Sequence, residues 1–511
     1  MPAPTSQRAQ TRQWVGLGVL ALPTALLGLD VTVMYLAVPE LSLDLQPSSV
    51  QALWIMDAYG FAVAGLLITM GTLGDRIGRR RLLMIGAAAF GIASIAAAFS
   101  TSAAMLIAAR AALGVAGATL MPSTLALISN MFADARRRAF AIGVWATMFA
   151  LGMAIGPLVG GVLLERFWWG SAFLVAVPIS LLVIVVAPIL LPEYRDPDSG
   201  RLDLISVVLS LAAILPVIYA IKHGAAHGPD VQASTGIVAG ALFAGLFVQR
   251  QNRLADPLLD LRLFAVPAFS AALAILLVGL VGVGGAMFLV TQHLQLVEQL
   301  SPLQAGLWMG PPALMMFVAA IGAPLLARRI RPGLIVAGTL GLSALGYALL
   351  ATVDGPGNVD RIVIGFGLVY LGLGAIAALG TDLVVGSAPP NKAGSASAMS
   401  ETVQELGLAI GVAVLGSLAN AVYRTEMTAS TEASPAPHAR SLSDAVSLAD
   451  ELPSTVLEAA RQAQTSGMST TASITAAAIL ALAALSAVML RAVTTTGGNE
   501  QVGSPAGPPT P

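Results

Sequence analysis

WVGLGVLALPTALLGLDVTVMYLAVP, residues Trp14 to Pro39, is an apolar stretch long enough to cross a bilayer as one helix, and it carries a single ionisable side chain, Asp30. At about 1.5 Å per helical residue, Asp30 falls roughly 24 Å after Trp14 and roughly 13 Å before Pro39, inside a hydrocarbon layer about 30 Å thick. A charged carboxylate near the bilayer centre costs at least about 2.5 to 3.5 kcal/mol, so such a group faces a protein interior or a water-filled cavity and marks a candidate functional site. The bland alternative is a protonated Asp that only hydrogen-bonds a neighbouring helix.

The rest of the chain agrees with a membrane setting. Of 511 residues 56% are hydrophobic and 10% charged, against about 25% charged in a soluble domain. The lipid bilayer is therefore the expected solvent, and the apolar runs lack the alternation of an outer-membrane barrel. Fifty-two glycines suit close helix approach in lipid. Cysteine is absent, which excludes a disulfide framework, a thiolate nucleophile and a thiolate metal site. A net charge of -1 gives no sign of nucleic acid as a partner. Residues 1–13 form a polar start. The run behind them is too long for a signal sequence and lacks a small-residue cleavage pattern, so the first helix is expected to be retained.

Hydropathy predicts fourteen spans and an all-α integral membrane protein. Six lie within 14–191, two within the inserted segment 192–266, and six within 267–490, the last group with an extracytoplasmic loop over 423–470. Residues 491–511, rich in Gly, Pro and Thr, read as a disordered cytoplasmic tail. Nineteen Lys and Arg fall in loops on one side, among them Arg76, Arg79 to Arg81, Arg136 to Arg138 and Arg328. The other side has six: Arg166, Lys222, Arg361, Arg424, Arg440 and Arg461. The positive-inside rule then puts both termini in the cytoplasm.

Internal repetition is a stronger signal than any single motif. LQPSSVQALW at Leu45 to Trp54 recurs as LSPLQAGLW at Leu300 to Trp308, setting span 2 against span 10. GMAIGPLVGG at Gly152 to Gly161 recurs as GLAIGVAVLGS at Gly407 to Ser417, setting span 5 against span 13 at an offset of about 255 residues. Two duplicated six-helix halves around a midplane site are a transporter architecture.

Between spans 2 and 3 the chain reads GTLGDRIGRRRLL, with Gly71, Gly74, Asp75, Arg76, Gly78, Arg79 and Arg80. Glycines permit a tight turn, and Asp75 is expected to cap a helix start and pair with a neighbouring helix end. In this order the motif resembles the signature loop of the major facilitator superfamily. Gly152, Gly156, Pro157, Gly160 and Gly161 resemble the antiporter motif of its drug exporters, and LIAARAALGVAGA at Leu106 to Ala118 resembles a fourth-span motif, except that Leu113 stands where Gln is common. LDVTVMYLAVP at Leu29 to Pro39 and LWIMDAY at Leu53 to Tyr59 are similar to the fourteen-span drug:proton antiporters, the QacA-like multidrug pumps. The resemblance implies two six-helix bundles plus two inserted helices, no enzyme activity, no cofactor beyond the proton gradient, and a monomer. Lipophilic cations such as quaternary ammonium compounds and dyes would exchange for protons at Asp30.

An Arg inside a span needs a carboxylate or carbonyls, which makes Arg110 a candidate relay or gate partner. Asp57 is placed early in span 2, near the outer surface, as a coupling acid or a mere water ligand. Glu401 and Glu405 share one face of span 13, either at a frayed solvated end or, by the repeat, deep like Ala146 and Ala150. Tyr35, Trp54, Trp145 and Trp308 are candidate cavity walls, with belt anchoring as the alternative for the tryptophans. Export of a physiological solute remains the rival transport reading. A membrane enzyme is disfavoured, since the four histidines lack an HExxH spacing and no GxxxxGK[ST] sequence occurs.

The orientation is testable. With no native Cys as background, Ser434→Cys is expected to react with an impermeant thiol reagent on intact cells and Ala135→Cys is not. Labelling at position 135 would reverse the topology.

Overall fold

In a computed structural model the chain is described over residues 7–132, 134–195, 203–228, 230–254, 257–387, 393–430, 441–448 and 452–491. Ser434, His438, Arg201, Lys392 and the tail from 492 lie outside these residues. Among the described residues, fourteen helices are long and apolar enough to cross a membrane. Spans 1 to 6 are Thr11–Leu45, Val50–Ile77, Arg79–Ala98, Ala103–Met131, Phe140–Arg166 and Ser171–Leu190. Spans 7 and 8 are Leu204–Gly224 and Val231–Arg253. Spans 9 to 14 are Pro267–Val297, Pro302–Ala327, Pro332–Leu350, Val359–Gly386, Ala396–Ala429 and Ser454–Met489. The first span starts and the last span ends on one face, called here the terminal face.

The sequence repeat is a structural repeat at the level of single caps. Ser48 accepts a hydrogen bond from Gln51 N and Gln51 Oε1 accepts one from Ser48 N, a capping box that opens span 2. Ser301 and Gln304 do the same for span 10. In both places the turn two residues earlier is a Gln at positive φ, Gln46 at 44° and Gln299 at 56°. Packing repeats as well. Span 1 lies on span 5 as span 9 lies on span 13, span 2 on span 4 as span 10 on span 12, and span 3 on span 6 as span 11 on span 14.

Glycine sets how close these pairs come. A Cβ on Gly152 or Gly156 would run into the Ala25 carbonyl or the Thr32 hydroxyl of span 1, and one on Gly407 or Gly411 would run into Leu280 or the Val281 carbonyl of span 9. The antiporter-like motif is thus a backbone-to-backbone seam inside the first half. Its last member reaches out of that half: Gly161 abuts Pro302 and Leu303, while Gly306 abuts the Pro157 carbonyl.

The halves meet along spans 2 and 13 and along spans 5 and 10. Near the face opposite the termini these seams are tight. Glu165 accepts hydrogen bonds from Ser301 Oγ at 2.7 Å and Leu303 N at 3.2 Å, and Gln295 Nε2 donates to the Leu36 carbonyl at 3.2 Å. Spans 7 and 8 form a hairpin, and span 7 lies over the span 2/13 seam.

Two expectations are corrected. The described residues of 423–470 are mostly helical: span 13's helix runs to Ser430, a short helix covers Leu442–Ser447, and span 14 begins at Ser454. Hydropathy missed this because the segment is polar yet amphipathic, burying Val456, Ala460 and Ala463. Asp75 caps nothing. It sits in the last turn of span 2 and pairs with Arg79 across the break at 2.6 Å, while Gly78 caps span 3 without a side-chain bond. Gly78 has φ 110°, and Glu193 crowds it while accepting from Arg80 N at 3.0 Å, so the loop motif is clamped to the end of span 6. His293 is fully buried at the end of span 9 beside Glu298, 3.8 Å away.

Gly152→Val is expected to lower accumulation and thermal stability in detergent, by about 1–3 kcal/mol or more from overpacking. Gly18→Ala, whose Cβ meets nothing within 4 Å, is the control and should leave the melting temperature in place.

Candidate functional site

A cavity of about 430 Å³ lies between the halves, lined from spans 4, 5, 9, 10, 12 and 13. Its wall is apolar: Met121, Phe149, Met316, Phe317 and Leu373 are typical. Most of the wall lies in the halves of the spans nearer the terminal face. Trp145 lines it, with its indole Nε1 held by Thr124 Oγ1 at 3.0 Å.

Two carboxylates, Glu401 and Glu405, enter this wall beside Gln404. Both lie well inside the helix that begins at Ala393, Glu401 partly exposed and Glu405 buried. Ala146 and Ala150, their repeat partners in span 5, line the same cavity from across it, so the duplicated positions face one another with acids on one side only. Among the described residues no Lys, Arg or His lies within ion-pair distance of either Glu. Nearby polar groups are occupied with one another: Thr381 Oγ1 is 3.0 Å from Ser400 Oγ, and Gln404 Nε2 donates to the Ser400 carbonyl at 3.3 Å.

Asp30 is placed differently. Arg110 Nη1 sits 2.8 Å from its Oδ2, and the guanidinium also donates through Nε to the Ile55 carbonyl at 3.2 Å. The Tyr59 ring lies under the guanidinium at 4.8 Å. Asp30 and Arg110 belong to the interior of the first half and do not line the large cavity. The requirement that an intramembrane Arg find a carboxylate is met by the acid that opened the sequence reading.

Asp57, early in span 2, is 1% exposed, with Lys222 Nζ 2.7 Å from its Oδ2. Lys222 is the correction: it is no loop residue, because the helix of span 7 continues to His227 and buries it. The ammonium lies 4.2 Å from the centre of the Trp54 ring, so Trp54 holds this pair and does not line the large cavity. Trp308 is likewise no cavity wall: it is 40% exposed on the outside of span 10. Tyr35 lines a second, inner cavity of about 30 Å³ with Asp57, Tyr59, Arg110 and Glu405. Glu405 therefore borders both spaces and links the large cavity to the buried charge pairs.

Sequence reasoning passed over Lys222 and Tyr59. The signal for Lys222 is a lone Lys closing eighteen apolar or neutral residues from Leu204 to Ile221, and the helix continues past it to His227.

The Asp30–Arg110 pair yields a double-mutant cycle. Arg110→Met alone should cost about 3–5 kcal/mol of stability by leaving a buried carboxylate unmatched. Arg110→Met with Asp30→Asn should recover most of that loss. Additive losses in thermal unfolding would show that the two do not interact.

Comparison with known proteins adds the family. The model described as Major Facilitator Superfamily matches residues 20–412. "Multidrug efflux pump LfrA" of Mycolicibacterium smegmatis is 43% identical over 93% of this chain and 95% of its own length. "Methyl viologen resistance protein SmvA" of Salmonella typhimurium is 36% identical over 88% of this chain and 93% of its own. Among solved structures, a bacterial homologue of the human lysosomal transporter Spinster, in an inward-facing and unoccupied conformation, superposes with a TM-score of 0.64 at 16% identity, covering 94% of this chain and 98% of that one. That last likeness concerns the fold alone.

Proposed function

The chain belongs to the major facilitator superfamily and is a transporter, not an enzyme; from that premise we propose that it exports lipophilic cationic drugs, quaternary ammonium compounds and dyes among them, in exchange for protons. The observation that carries this reading is the pair Glu401 and Glu405 in an apolar cavity with no cation beside them. An apolar wall accepts a greasy ring system, and an unmatched carboxylate accepts its charge. The names of the two relatives, a multidrug efflux pump and a methyl viologen resistance protein, support the same reading.

Coupling follows from competition at one carboxyl group. A cation within a few ångström favours the ionised form of a carboxyl, and a proton removes the countercharge that the cation needs. Proton and drug then exclude one another at Glu405, and each shifts the balance between the two orientations of the halves. The tight seams at the face opposite the termini and the cavity toward the terminal face support an inward-facing state in which drug enters from the cytoplasm. Arg110 and Asp30, one layer behind Glu405, relay the change of charge to spans 1, 2 and 4. No cofactor is needed, and a monomer in the bacterial inner membrane suffices.

Export of a physiological solute is the second reading, and the absence of any Lys or Arg among the cavity's lining residues weighs against anionic solutes in particular.

Everted vesicles test the proposal. With an imposed pH gradient, monovalent ethidium-like dyes should accumulate inside and collapse with the gradient. Asp30→Asn should insert normally yet abolish gradient-driven transport, and wild-type transport by this variant at equal expression would return Asp30 to a structural part. Glu405→Gln should reduce transport of divalent cations more than monovalent ones; equal loss for both would mean that Glu405 couples protons without sorting charge.

A further inference from the structure

The Asp57–Lys222 pair differs from an ordinary structural ion pair. At the other end of the same hairpin, Asp203 shows what such a pair looks like: Arg250 bonds it through Nη2 at 2.8 Å and Nε at 3.3 Å, and Ser206 adds its amide at 3.1 Å and its hydroxyl. Burial pushes the Asp203 carboxyl up, and the bonds from Arg250 and Ser206 outweigh it, holding the group below the usual carboxylate range. Asp57 has no such support. Neither of its oxygens, nor Lys222 Nζ, has a hydrogen-bond partner outside the pair among the described residues. The ammonium also lies 4.2 Å from the centre of the Trp54 ring.

A carboxylate with an aromatic face is the chemistry that binds an organic cation. Here the cation comes from the chain itself, delivered by the inserted hairpin. The site also borders the transport pathway, since Asp57 shares the 30 Å³ cavity with Glu405, which in turn lines the large one.

We propose that Lys222 is a tethered counter-ion that sets charge selectivity: by matching Asp57 it withholds one carboxylate from the cavity, leaving Glu401 and Glu405 as the charges a substrate meets. The inference rests on the cation-export reading above. Its physical basis is simple. A charge added near the cavity acts on a dication twice as strongly as on a monocation, so the ratio of divalent to monovalent transport reports the net charge of the buried cluster.

The experiment measures ethidium and methyl viologen, a monocation and a dication, for the same protein samples. Equilibrium binding to purified protein in detergent is read beside transport in vesicles. Lys222→Met, which removes the ammonium at similar volume, should raise the divalent-to-monovalent ratio about tenfold, the scale of one screened charge interaction. Asp57→Asn, which leaves the ammonium unmatched, should lower it by a similar factor. The double variant should return to the wild-type ratio, and Lys222→Arg should keep it. If the ratio is flat across Lys222→Met, Asp57→Asn and the double variant, Lys222 merely fastens the hairpin and the inference is overturned. Should Lys222→Met fail to accumulate, Asp57→Asn decides alone: an unchanged ratio overturns the proposal and a lowered one supports it. Binding separates this inference from the antiport reading. Ratios that shift as expected in binding, without gradient-driven transport by the wild type, would uphold Lys222 and sink proton antiport.

Discussion

A carboxylate inside a membrane-spanning bundle must be matched by a cation, neutralised by a proton, or open to a ligand, because the low-dielectric surroundings leave no other stable arrangement. This constraint sorts the interior acids of the chain. Asp30 is matched by Arg110, and Asp57 by Lys222, each from a different helix. Glu401 and Glu405 have neither partner and face the cavity. The first two acids tie helices together; the last two are left for chemistry that arrives from outside.

The scaffold that keeps these charges in place is a duplicated unit joined by glycine. Spans 1 and 5, and again spans 9 and 13, approach until backbone meets backbone, and the residues that permit it recur at the repeat offset as Gly152 with Gly407 and Gly156 with Gly411. Such seams are stiff, so the softer boundary is the one between the halves. There the contacts concentrate toward one face, at Glu165 with Ser301 and Gly306 with Pro157, and the cavity occupies the space toward the other. Two rigid bodies around one space are what rocking motion requires. The inserted hairpin lies over the span 2/13 seam, and it brings Lys222 to Asp57.

Much of this could be read from the sequence, and the exceptions have a common cause. Apolar run length located the fourteen spans, since hydrocarbon thickness leaves little freedom, and the repeated LQPSSVQALW and GMAIGPLVGG stretches revealed the duplication because caps and close contacts need specific residues. Arg110 could be assigned to a carboxylate or carbonyls from cost alone, and it has both. The pairing of Asp57 could not, because its partner lies 165 positions away in the chain, in the polar last turns of a helix that hydropathy reads as loop. Helix ends over 423–470 failed for a related reason: hydropathy measures solvation by lipid, whereas Val456 and Ala460 are buried against protein. Trp54 and Trp308 show the limit of residue type. A tryptophan can wall a cavity, shield an ammonium or face lipid, and only packing decides among the three.

Proton release on drug binding tests the central claim most directly. Purified protein in weakly buffered detergent at neutral pH, mixed with tetraphenylphosphonium and followed with a pH-indicator dye, should release protons, and Glu405→Gln should release markedly fewer at equal saturation. Binding without proton release by the wild type, or the same release from Glu405→Gln, would contradict competition between proton and cation at that carboxyl group.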